Sequence, residues 1–212
     1  LCAEAQVDLA RVRSGYINKE DFGKLTQAAN RLSQAPIYVD DTPALSIHEV
    51  RARARRLCSE IKNLGLVVLD YIQLLTVRER IENRQQEVSL ISRSLKAMAR
   101  DLNLPVLALS QLSRAIERRD DHLPRLSDLR ESGAIEQDAD VVLFIHRELP
   151  RRAAGRDTAS AEEELEERSE ATTKLIIGKQ RNGPTGWLDL YFVKHYTRFE
   201  SVAPQYSETT PF

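Results

Sequence analysis

Two short aliphatic runs separated by one amphipathic helix constrain this chain more than any other feature. The first, LGLVVLDYIQLL (64–75), is bounded by Gly65 and interrupted by Asp70; the second, VLALSQ (106–111), follows Pro105. Continuous apolar runs of this kind read as strands buried on both faces, as in a parallel sheet covered by helices. Between them Val88, Ile91, Leu95, Met98 and Leu102 recur at spacings of 3, 4, 3 and 4, the buried stripe of a helix that Pro105 ends. Strand, helix and strand in that order make a βαβ unit, and VVLFIH (141–146) supplies a third buried strand. The class is therefore α/β, a mostly parallel sheet flanked by helices.

The flanking sequence adds elements on both sides. Asn18, with Asp21 three residues on, caps a helix carrying Phe22, Leu25 and Leu32 that stops before Pro36. IYVDD (37–41) reads as a short strand and TPALS as a turn. Ser46 and Glu49 form a capping box for a helix with Ile47, Val50, Ala54, Leu57 and Ile61 on one face, ended by Gly65. LSRAIERRDDHLPRLSD (112–128) is a long polar loop, and LRESGAIEQDAD a short helix. Residues 151–172 form a charged insertion poor in apolar side chains. The end differs in kind: TKLIIGKQ, RNGPTG and WLDLYFVK read as a β-hairpin, with RFESV adding a strand, so 174–202 is a C-terminal β-hairpin region.

Composition excludes some classes. At 42% hydrophobic and 30% charged, this is ordinary globular composition. No apolar run spans a membrane and the start lacks a signal-peptide arrangement, so a cytoplasmic address is expected. Cys2 and Cys58 suggest neither zinc nor a disulfide framework. A net charge of −1 leaves any nucleic-acid function to local groups. Leu1 opens in what reads as mid-helix, without a capping residue, so a truncated N-terminus is expected.

Three constellations carry chemistry. An unpaired buried carboxylate is costly, so Asp70 sits either in a satisfied hydrogen-bond network or at the strand's exposed carboxyl end, where open α/β sheets bind ligands. At such a tip a carboxylate holds Mg²⁺, directly or through water, and an amide on the adjoining tip, Gln111, can touch a γ-phosphate. The loop after Gln111 interleaves Arg114, Arg118, Arg119, Arg125 and Arg130 with four acids, which suits either a solvated surface or contact with a polymer. In GKQRNG, Lys179 and Arg181 share one face of a strand end, suited either to solvated edge charges or to anion recognition.

In order, LVVLDYIQL, ENRQQEVSLISRSLKAMARDLNLPVLALSQLSR, LSDLRESGAIEQDADVVLFIHR and KQRNGPTG closely resemble the RecA-like motor domain of the bacterial replicative DNA helicases, the DnaB family. The resemblance covers nearly all of residues 1–212 and thins only in the insertion and the last ten residues. It implies a RecA-like P-loop NTPase core using ATP and Mg²⁺ to move along single-stranded DNA and unwind duplex at the replication fork. It implies a homohexameric ring, with primase and a helicase loader as partners and no membrane. By the same resemblance Asp70 is the Walker B carboxylate, Gln111 the γ-phosphate sensor, and Arg181 a trans-acting arginine finger with Lys179 as companion. Arg130, Glu131 and Gly133 match the loop that tracks the single strand in the channel.

One departure matters. The family's GxxxxGK[ST] loop is absent from the sequence, and the family's water-polarising glutamate aligns before Leu1. The chain alone is therefore expected to be inactive. The alternative is a non-hydrolysing RecA-like assembly or nucleic-acid-binding subunit.

Overall fold

The computed structural model describes residues 1–77, 81, 83–119, 122–129, 133–147 and 173–202. The chain divides into two compact units, one of Leu1–Val39, Ile145–Ile176 and Trp187–Phe212, the other of Asp40–Phe144 and Ile177–Gly186.

The first unit opens with α1 (Cys2–Ala5), α2 (Leu9–Ser14) and α3 (Lys19–Gln34). Asp8 caps α2 by accepting from the amides of Ala10 and Arg11, and Asn18 caps α3 by accepting from the Asp21 amide at 2.6 Å. Ala5, Val7, Leu25 and Ala28 form its core. The buried face of α3 is rotated from the expected one: Asp21, Leu25 and Ala28 face inward, whereas Phe22 is 66% exposed. An ion pair with Arg11 at 2.8 Å lets Asp21 occupy that inner position. The expected IYVDD strand does not form, and Ile37, Tyr38 and Val39 stand exposed. Strand propensity needs a neighbouring ladder to express itself, and none of the described residues offers one there.

In the second unit the capping box forms as expected. Ser46 Oγ accepts from the Glu49 amide and Glu49 Oε2 from the Ser46 amide, opening α4 (Ile47–Glu60). The helix ends at Glu60 rather than at Gly65, where Ile61 has already turned extended. Next come β1 (Val67–Leu69), α5 (Arg84–Leu102) and β2 (Val106–Ala108). The two strands pair in parallel, Val67 opposite Val106 and Leu69 opposite Ala108, which completes the βαβ unit. Asn83 caps the start of α5, and Asn103 closes its end in the left-handed conformation two residues before Pro105. Val88, Ile91, Leu95 and Met98 are buried, as the spacing predicts, where α5 packs on α4 and on α6 (Gly133–Asp138). The last ends at Asp138, two residues before the expected stretch LRESGAIEQDAD does.

The strands are not buried on both faces. Val68 is 53% and Leu107 49% exposed, and Leu66, Leu109, Val141 and Leu143 are exposed with them. An apolar run shows that both faces are apolar, not that this chain covers both.

The remaining strands are β3 (Val141–Arg147), β4 (Thr173–Gln180), β5 (Gly186–Val193) and β6 (Arg198–Ser201), ordered β3-β4-β5-β6. β3 therefore bonds to β4 instead of extending the β1–β2 ladder. A Cβ on Gly178 of β4 would collide with the Phe144 ring, so glycine is required at that approach. β5 and β6 are antiparallel, with Leu190 opposite Ser201 and Val193 opposite Arg198. The expected insertion at 151–172 lies outside the described residues.

Candidate functional site

Asp70 directly follows β1, and no hydrogen bond or ion pair reaches its exposed carboxylate among the described residues. Of the two readings open to the sequence, the exposed strand tip is the correct one. The Asp70–Tyr71 peptide bond is cis. The chain then makes a single 3₁₀ turn, Ile72–Leu74, which folds Gln73 back over the adjoining tip. The Gln73 amide donates to Ser110 Oγ at 3.0 Å and to the Gln111 carbonyl at 3.3 Å, while its oxygen accepts from the Gln111 amide. Arg84, at the start of α5, donates to the Gln73 carbonyl at 2.7 Å. The Asp70 and Gln111 segments are thus fastened to each other through Gln73, a residue whose role no spacing in the sequence signals.

Asp70 suits the hydration and geometry of Mg²⁺, which binds through one or two carboxylates and completes its octahedron with water and substrate oxygens. No group of three metal-ligating side chains occurs among the described residues, so Asp70 fits a cation shared with phosphate rather than an all-protein cage.

The polar loop after Gln111 is drawn together at its base. Leu112 bridges Leu129, the Ser113 amide donates to the Asp128 carbonyl at 2.8 Å, and two 3₁₀ turns fill the interior. Buried Asp128 staples it, accepting from Arg119 at 2.5 Å and from the Arg125 amide at 2.8 Å. Arg119, one of the cations the sequence offers for polymer contact, is therefore structural. Arg130 and Glu131 lie outside the described residues. Gly133 opens α6, and a Cβ there would meet nothing within 4 Å, so packing does not demand glycine at that position.

Lys179 and Arg181 do share one side of the β4 end, as their spacing predicts, but they are not free cations. Both reach the carboxyl end of α6, where orphan carbonyls favour positive charge. Lys179 Nζ donates to the carbonyls of Glu136 and Ala139, the latter at 2.8 Å. Arg181 donates to the Gln137 carbonyl at 3.1 Å and pairs with Asp140 at 3.3 Å, while its own amide donates to the Asp140 carbonyl at 2.8 Å. Lys96 of α5 pairs with the other Asp140 oxygen. The Lys96 hydrogen bond chiefly holds the Asp140 carboxyl below its usual value, against a smaller opposing effect of burial. α6, α5 and the β4 tip are consequently one electrostatic unit, an arrangement that helix-end chemistry explains and that sequence spacing does not reveal.

Residues 1–201 match the family model described as DnaB-like helicase C terminal domain. The chain is 47% identical over 209 residues to the replicative DNA helicase DnaB of Geobacillus stearothermophilus, covering 98% of this chain and 43% of that protein. It is 46% identical to the replicative DNA helicase DnaC of Bacillus subtilis, again covering 98% of this chain and 43% of the relative. It thus spans less than half the length of these relatives. Among solved structures, a DnaB-like replicative helicase studied with its primase interactions superposes with a TM-score of 0.81 at 34% identity, covering 95% of this chain and 46% of that one. The chain belongs to the DnaB-like helicase C-terminal domain family.

Proposed function

We propose that the chain is the ATP-driven motor portion of a replicative DNA helicase that assembles as a hexameric ring, translocates on single-stranded DNA and unwinds duplex at the fork. One observation supports this most: an exposed carboxylate, Asp70, with no partner among the described residues, stands at one parallel strand end and is tied through Gln73 to the adjoining Gln111 segment. Asp70 would hold Mg²⁺, which supplies charge neutralisation on the β and γ phosphates. Gln111 senses the γ-phosphate and passes its state to the closed loop that follows. Arg130, Glu131 and Gly133 contact the single-strand backbone, a contact that positions without reading sequence. Arg181, with Lys179 beside it, leaves the α6 carbonyls to complete the site of an adjacent subunit. Primase and a helicase loader are the proposed partners, in the bacterial cytoplasm at replication forks.

The trans assignment of Arg181 is the sharpest test. A finger supplied by a neighbour contributes about 10³ to 10⁵ in rate, and lysine does not reproduce its planar fork. In the assembled helicase Arg181→Lys should bind nucleotide and form rings yet lose most DNA-stimulated hydrolysis. Mixing it with an Asp70→Ala protein should restore part of the activity, because some interfaces then join an intact Asp70 to an intact Arg181. Near-normal hydrolysis by Arg181→Ala would remove the assignment.

A further inference from the structure

We propose that Arg93 and Arg100 of α5 are phosphate-binding residues, which together with Arg181 receive the polyphosphate of a nucleotide held by an adjacent copy of the chain. This rests on the trans reading of Arg181 above. A cavity of about 260 Å³ is lined by Arg93, Lys96, Arg100, Gln137, Asp138 and Arg181. Every lining side chain is polar or charged, and the volume falls below the usual range for whole small-molecule ligands. A base finds little apolar surface there to stack on. A phosphate chain does fit, which places the rest of the nucleotide outside the pocket and outside this subunit.

Charge points the same way. Arg93, Lys96 and Arg100 recur at i, i+3 and i+7, so their side chains stack along one stripe of the helix. A stripe of like charges weakens a helix unless something anionic meets it. Asp140 pairs directly with Lys96 and Arg181 and attracts Arg100 only at longer range, and Asp138 accepts from Ser92 Oγ at 2.8 Å. Arg93 and Arg100, both exposed, hold no hydrogen bond or ion pair among the described residues. Four cations against two carboxylates leave the site net positive, and the Arg93 and Arg100 guanidiniums, with no direct partner among the described residues, offer the planar donor forks that suit phosphate.

The test pairs a kinetic and a binding measurement on Arg93→Gln/Arg100→Gln, whose exposed positions leave the core intact. In the assembled helicase the double variant should raise KM for ATP about tenfold, the loss of two charge-assisted contacts, with kcat changing far less. Arg93→Lys/Arg100→Lys should regain only part of that affinity, since it keeps the charge but not the planar fork. Inorganic tripolyphosphate, titrated calorimetrically into the 212-residue chain, should bind and weaken by a similar factor in the Gln variant. A wild-type KM in the double variant, alongside loss of hydrolysis in Arg181→Ala, overturns this pocket and leaves the finger standing. Near-normal hydrolysis by Arg181→Ala overturns both. A shallower salt dependence of single-strand binding with unchanged KM gives the pocket to the DNA backbone and overturns the nucleotide assignment.

Discussion

Gln73 shows how a site can depend on a residue that no motif marks. Asp70 and Gln111 are legible because each closes an apolar run, and the end of such a run is where a parallel sheet exposes chemistry. Gln73 lies inside the first run, where no spacing or motif singles it out. Only the 3₁₀ turn at Ile72–Leu74 brings its amide against Ser110 and Gln111, and that turn has no sequence signature. The three hydrogen bonds are partly exposed, each contributing about 0.5–1.5 kcal/mol net. Gln73→Ala should therefore lower stability by about 1–3 kcal/mol in denaturant unfolding and leave the fold intact. In the assembled helicase it should leave basal hydrolysis nearly unchanged and remove most of its stimulation by single-stranded DNA, since the link between the tips is cut. Full stimulation in Gln73→Ala would reduce the residue to a structural tie.

Helices were more legible than strands, for a physical reason. Caps and a 3.6-residue stripe are local properties, so α3 and α4 start where Asn18 and Ser46 place them, and the stripe from Val88 on marks α5 though not its first turn at Arg84. Strands depend on partners elsewhere, so IYVDD fails to pair and β3 joins β4 rather than β1–β2. Ser46→Ala removes both the cap acceptor and a nearly buried hydroxyl and should cost about 1–2 kcal/mol, read as a shifted denaturation midpoint with an unchanged slope. The unpaired segment is held instead by side chains. Asp40 accepts from Thr42 Oγ1 at 2.7 Å and from Arg53 of α4 at 2.5 Å. The Thr42 hydroxyl first, then the Arg53 guanidinium and the Thr42 amide, lower its carboxyl to about 2. The folded value lies below the unfolded one, so the tether contributes fully above about pH 4 and is lost as pH falls through about 2. Carbon-detected titration should show an Asp40 midpoint near that value, and Asp40→Asn should flatten the acid limb of stability across this window. An ordinary midpoint would break the tether account.

At the scale of the whole molecule, the sequence lacks a phosphate cradle, so the 212-residue chain should turn over no ATP that Asp70→Ala can abolish. Apolar side chains on and beside its β strands are also exposed: Leu66, Val68, Leu107, Leu109, Val141 and Leu143. Apolar area left in water favours burial by about 25 cal/mol per Å², and exposed apolar surface of this kind is where soluble chains associate. The isolated chain should therefore bind the apolar dye ANS and associate as its concentration rises. Salt separates this from an interface built on Arg93, Arg100 and Arg181: sulfate strengthens apolar association, whereas ionic strength screens a charged one. Val68→Thr/Leu107→Thr keeps the strand preference of the first position and removes apolar surface from two half-exposed ones. It should lower dye binding and association together while leaving the circular dichroism spectrum unchanged. Association that persists in this variant, or that sodium chloride dissolves, would place the contact on the charged α5–β4 surface instead of the sheet.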